Sequence, residues 1–121
     1  MTAHKNQSFL RRLGFALNGL GHALRSEHSL KAQLVVFVGV VIALLVLHPG
    51  PLWWALVMLA SAGVFAAELF NTAIEHLTDH LHPEVHPNIR VVKDCAAGAV
   101  LMASLGALGV GVALVVHLIK N

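Results

Sequence analysis

From Cys95 to Ile119 the chain runs for 25 residues without an Asp, Glu, Lys or Arg. At ~1.5 Å per residue, a helix of that length covers the ~30 Å hydrocarbon core of a bilayer. Two further apolar runs precede it, Ala32 to Leu47 and Leu52 to Ala67. With 57% hydrophobic and 12% charged residues in 121, too little polar surface remains to cover a water-soluble globule. The expected fold is an all-α membrane protein, a single domain over 1–121 with transmembrane helices at 32–48, 52–80 and 94–119.

Punctuation between the runs supports three spans. His48-Pro49-Gly50-Pro51 is a turn signal, and Trp53 and Trp54 directly after it suit the aromatic belt of an interface. The first run, uncharged over only 16 residues, needs the segment before it to complete a crossing. The second passes without a breaker into Glu68-Leu69-Phe70-Asn71-Thr72-Ala73-Ile74-Glu75-His76-Leu77-Thr78-Asp79. About twenty residues from Leu52 consume the ~30 Å core, which places Glu68 and Asn71 near the opposite interface and Glu75 and Asp79 just beyond it. Pro83 and Pro87 then end the helix and define a loop before the third span.

Ahead of the spans, Phe9, Leu10, Leu13, Leu17, Leu20 and Leu24 recur at helical spacing with Lys5, Arg11, Arg12 and Asn18 between them. This pattern predicts an amphipathic helix over 5–25 lying in the membrane interface, with no secretory signal pattern among these residues. Lys5, Arg11, Arg12, Arg25, Lys31, Arg90 and Lys93 flank one side of the spans, and Lys120 alone flanks the other. The positive-inside bias puts the N-terminal helix and the 80–94 loop in the cytoplasm and the C-terminus outside. These basic residues fit anionic headgroups, so no nucleic-acid partner is expected. Cys95 has no intrachain partner for a disulfide. Ala99, Ala103, Ala107 and Gly111 form a small-residue stripe that allows another helix to approach, and three spans are few to enclose a site; both point to a homo-oligomer.

The six acidic residues, Glu27, Glu68, Glu75, Asp79, Glu84 and Asp94, all fall at the expected cytoplasmic ends of the spans or in their connecting loop. On a helix turning 100° per residue, Glu68, Asn71, Glu75 and Asp79 lie at about 0°, 300°, 340° and 20°, a polar stripe roughly 80° wide. Carboxylates near hydrocarbon are costly unless paired, protonated or bound to a cation, so the stripe is a candidate site rather than a merely solvated helix end. Carboxylates beside Lys93-Asp94 suit divalent-metal and phosphate chemistry, because Mg2+ takes hard oxygen ligands and lysine places a point charge on phosphate oxygens. No glycine-rich phosphate loop precedes the lysine, so a nucleotide site would need another design.

The segment AELFNTAIEHLTDHLHPEVHPNIRVVKDCAAGAV resembles the signature region of the prokaryotic diacylglycerol kinase and undecaprenol kinase family. The resemblance rests on Glu68-x-x-Asn71-x-x-x-Glu75-x-x-x-Asp79, then His86, then Lys93-Asp94, and extends to Glu27 and Gln33 before the first span. It implies a homotrimeric helical bundle in the bacterial cytoplasmic membrane, with sites shared between subunits, that phosphorylates a lipid alcohol (undecaprenol or diacylglycerol) with ATP and Mg2+. Carried over by position, Glu27 and Glu75 would hold Mg2+ and ATP phosphate, and Lys93 would neutralise the phosphates. Asp79, Glu84, His86 and Asp94 would line the nucleotide side; Glu68, with Asn71 near it, would be the base for the lipid hydroxyl. His86-Pro87 and Ala96-Ala97-Gly98-Ala99-Val100 look more like the undecaprenol kinase branch. Phe15 stands where relatives often carry an aromatic residue with a hydroxyl.

Two other classes compete. Nine histidines, notably His76 and His80 at i, i+4 with His82 and His86 nearby, raise a metal-binding or transport protein. However, His76 and His80 project at about 80° and 120°, away from the carboxylate stripe, so the two sets do not converge on one ion. A small assembly subunit, its polar stripe merely pairing helices, leaves Lys93-Asp94 and the gathering of all six acids unexplained.

Overall fold

The computed structural model describes residues 8–120, which form four helices: α1 (Phe9–Ser26), α2 (His28–Leu47), α3 (Pro51–Leu81) and α4 (Pro87–Lys120). No strand occurs among the described residues. α2, α3 and α4 are each long and apolar enough to cross a membrane. Large side chains such as Val35, Leu59 and Met102 lie more than two-thirds exposed along them, which only a lipid solvent tolerates on this scale.

Each boundary has a local cause. Ser8 caps α1, its hydroxyl accepting from the Arg11 backbone N–H at 3.4 Å. Lys5, expected in this helix, lies outside the described residues. Glu27 has extended backbone angles (φ −108°, ψ 118°) and separates α1 from α2 by one residue. α2 therefore gains its first turn from His28 and reaches 20 residues, about 30 Å, enough for one crossing. At its end His48 takes the left-handed conformation (φ 48°) and donates its N–H to Leu44. Gly50, at φ 115°, supplies a conformation other residues rarely adopt, and Pro51 opens α3 at a position where no N–H is needed.

α3 and α4 form the tightest pair, joined by the short loop at 82–86. They run antiparallel: Trp53, near the start of α3, stacks at 5.2 Å on His117 near the end of α4, while Lys93 and Asp79 form an ion pair at the opposite ends. α4 begins at Pro87, so Lys93 and Asp94 sit on its second turn, whereas the sequence alone starts the third span at residue 94 and leaves Lys93 in the loop. From there Lys93 reaches back to Asp79 in the last turn of α3. At ~1.5 Å per residue, the 31 residues of α3 make about 46 Å, so roughly ten residues project beyond a ~30 Å core.

α2 packs less closely on this pair. At the Trp53 end, Leu44, Val57 and Leu114 bring all three spans into one buried cluster. Midway, Phe37 and Phe65 meet edge to face at 5.9 Å. Alongside these contacts, from Gln33 to Leu118, the spans border a cavity of about 570 Å3, lined almost wholly by apolar side chains. Ala107 and Gly111 of the small-residue stripe face this space.

Candidate functional site

The end of the bundle near α1 carries the polar groups. Glu68 lies on the face of α3 toward α2 and is 6% exposed. Ser29 Oγ donates to its Oε2 at 3.2 Å, and Gln33 Nε2 donates to its Oε1 at 2.8 Å. Ser29 and Gln33 are four residues apart, hence one above the other on the same face of α2. Two donors hold the carboxylate in place, while each oxygen keeps a lone pair for a further partner. Gln33 also lines the apolar cavity, so the cavity ends at the residue that positions the carboxylate.

One turn further, Asn71 Nδ2 donates to Glu75 Oε1 at 3.0 Å, and both side chains are half-buried. Asn71 Oδ1 is shielded from solvent and has no hydrogen-bond partner. A buried carbonyl oxygen left unpaired is costly, so this acceptor is suited to a donor or cation that arrives from outside the chain. Thr78 is buried and returns its hydroxyl to the Ile74 carbonyl at 2.9 Å, which leaves it no role in the polar row.

Beyond the membrane-crossing length, Asp79 pairs with Lys93 across α3 and α4. Asp79 is 62% exposed and Lys93 38%, so the pair contributes little to stability and leaves the ammonium accessible to another anion. Beside it, Glu84, His86, Lys93 and Asp94, with His82, Ile89 and Arg90, surround a hollow of about 200 Å3. Within the loop, the His82 ring donates to the Glu84 carbonyl at 2.9 Å, and His86 Nδ1 accepts from the Asn88 N–H at 3.1 Å. These bonds fix the loop against the start of α4.

The stripe expected from helical phase is therefore three differently partnered units: Glu68 tied to α2, Asn71 with Glu75 on α3 itself, and Asp79 tied to α4. Glu27 is half-buried at the α1–α2 junction, its side chain making no capping bond. Among the described residues no hydrogen bond or ion pair joins it to Glu75, and no three of the His, Cys, Asp and Glu side chains gather closely enough to share a metal. Ser29 escaped the sequence reading. Its signal is its i, i+4 relation to Gln33, just ahead of fourteen residues without a polar side chain.

Three comparisons bear on this arrangement. The model of the family described as prokaryotic diacylglycerol kinase matches residues 14–115. An undecaprenol kinase of Bacillus subtilis (strain 168) is 31% identical over 99 residues, 80% of this chain and 80% of that protein. A diacylglycerol kinase of Synechocystis sp. (strain ATCC 27184 / PCC 6803 / Kazusa) is 34% identical over 98 residues, 80% of this chain. The aligned part spans only 56% of that second relative's length. No solved structure matches the chain.

Proposed function

The chain belongs to the prokaryotic diacylglycerol kinase family and is a membrane-embedded lipid kinase; from that premise we propose that it transfers the γ-phosphoryl group of ATP to a lipid alcohol at the cytoplasmic interface. The product is the lipid monophosphate. Undecaprenol and diacylglycerol are the candidate acceptors, with undecaprenol preferred on the residues 86–87 and 96–100.

One observation carries this reading: an apolar cavity of about 570 Å3 among the spans ends at Gln33, whose amide holds the buried Glu68 carboxylate. A lipid chain lying in that cavity brings its hydroxyl to a carboxylate oxygen with a spare lone pair. Glu68 takes the hydroxyl proton as the lipid oxygen attacks the γ-phosphorus, and ADP leaves. Ser29 and Gln33 keep the base oriented without neutralising it, since neither is charged.

The polar groups further out suit the nucleotide. Mg2+ is a hard cation, and the unpaired Asn71 Oδ1 beside the Glu75 carboxylate is a fitting oxygen donor set. Glu75, with Glu27 as the second carboxylate, would hold the ion, which supplies charge neutralisation on the phosphate oxygens. Lys93 exchanges Asp79 for phosphate, and Asp79, Glu84, His86 and Asp94 border the hollow where the nucleotide rests. Lys93 donates to phosphate as a point charge.

The reading also includes a homotrimer in the bacterial cytoplasmic membrane, with sites shared between neighbours. Its support is the family resemblance and the apolar flanks that the spans leave uncovered. The cytoplasmic placement of the polar end is supported by Arg11, Arg12, Arg25, Lys31, Arg90 and Lys93 at that end, against Lys120 at the other. The test is phosphate transfer from ATP by the purified protein in mixed micelles, with diacylglycerol and undecaprenol side by side and Mg2+ present or chelated. Mg2+-dependent transfer to undecaprenol in preference is expected; transfer to neither lipid overturns the reading.

A further inference from the structure

His22 of α1 and His76 of α3 stand ring against ring, 5.6 Å between centroids at an interplanar angle of 70°. Both side chains are exposed, so the pairing is not core packing, and neither ring is spent on a hydrogen bond among the described residues. Two imidazoles that share one tetrahedral ion at ~2.0–2.1 Å have centroids roughly 5 Å apart, a spacing that small side-chain rotations reach from here. We propose that His22 and His76 form a two-histidine site for a borderline divalent transition metal, with Zn2+ the type case, that fastens the interfacial helix to α3.

Imidazole nitrogen selects Zn2+, Ni2+ or Cu2+ over Mg2+, so this site is chemically separate from the oxygen donors of Asn71 and Glu75 nearby. Among the described residues no third His, Cys, Asp or Glu joins the pair. Water completes the coordination, and the ion is exchangeable, not structural. The other close pair, His82 with His86 at 5.5 Å, differs because the δ nitrogen of each ring is already engaged within the loop. His80, one helical turn from His76, is the intrahelical competitor that sequence spacing alone favours.

The site couples two elements that otherwise touch lightly. A bound ion restrains α1 against α3 at the residue next to Glu75 and slows turnover; this effect rests on the kinase reading, whereas binding does not.

The experiment titrates Zn2+ into the purified protein in micelles by calorimetry, with Mg2+ present throughout. It compares wild type with His22→Ala, His76→Ala, His80→Ala and the paired change His82→Ala with His86→Ala. One Zn2+ per protomer is expected, its binding weakened at least about tenfold in His22→Ala and His76→Ala alike and unchanged in the other two. No binding to wild type, equal binding by all variants, or a loss in His80→Ala but not in His22→Ala overturns the site. In parallel, Zn2+ should slow phosphate transfer in wild type and not in His22→Ala. Binding through both histidines without slowing overturns the restraint. A preparation that transfers no phosphate still decides the site through calorimetry.

Discussion

The two ends of the helical bundle are held together by opposite means. At the Trp53 end, Leu44, Val57 and Leu114 lock three spans by apolar packing, with the Trp53–His117 stack beside them. At the α1 end, α2 meets α3 through Ser29 and Gln33 on Glu68, and α3 meets α4 through Asp79 and Lys93. In lipid, packing rather than water exclusion drives helix association, and exposed ion pairs contribute little. The apolar end can therefore anchor the fold, while the polar end keeps groups whose bonding capacity is incompletely used. The difference separates stability from chemistry along a single axis.

The sharpest break of that division is Glu68→Gln. It keeps the shape and the Ser29 contact but removes the proposed base, and should lower the transfer rate at saturating ATP and lipid by about 10²–10⁴-fold. Initial rates beside a thermal melt check it; an unchanged rate would return Glu68 to a purely structural role. Leu44→Ala reverses the pattern. It should cost about 2 kcal/mol in reversible detergent unfolding, with turnover per folded protein retained. Equal damage to rate and stability would show that the ends are not separable.

Smaller effects refine the comparison. Lys93→Gln should raise the Michaelis constant for ATP by about tenfold, and its stability change should stay below ~1 kcal/mol because the pair is largely exposed. A melt shifted as far as that of Leu44→Ala would make the ion pair an anchor instead. Ser29→Ala, the mildest change, removes one of two bonds to Glu68 and should slow transfer several-fold, about 1 kcal/mol in barrier. Steady-state rates against lipid concentration would resolve it.

The spans, the turn at residues 48–51 and the angular coincidence of Glu68, Asn71, Glu75 and Asp79 are legible in the sequence, because each is written within one segment as an uncharged run, a Pro-Gly cluster or a helical period. What split that row into three units was invisible, since Ser29, Gln33 and Lys93 belong to other helices and meet it only through packing. The start of α4 is less legible for a different reason. Arg90 and Lys93 precede the uncharged run and read as loop, although a proline at the first helical position is itself a start signal. The His22–His76 contact was likewise beyond reach, because spacing along α3 directs attention to His80. Glu68 was expected to lie deep, and its burial follows from the Ser29 and Gln33 contacts as much as from depth along α3.

The 20 residues of α2 have a consequence for the membrane itself. Tethered at one end by Leu44 and at the other by Ser29 and Gln33, this helix acts as a depth gauge for Glu68. A bilayer thicker than its ~30 Å reach would draw the carboxylate below the headgroups unless lipid thins around the protein, and a thinner one would tilt the helix and lift the carboxylate toward water. On the proposed role of Glu68, acyl-chain length in the surrounding membrane would become a control variable for proton abstraction, independent of which alcohol is being phosphorylated.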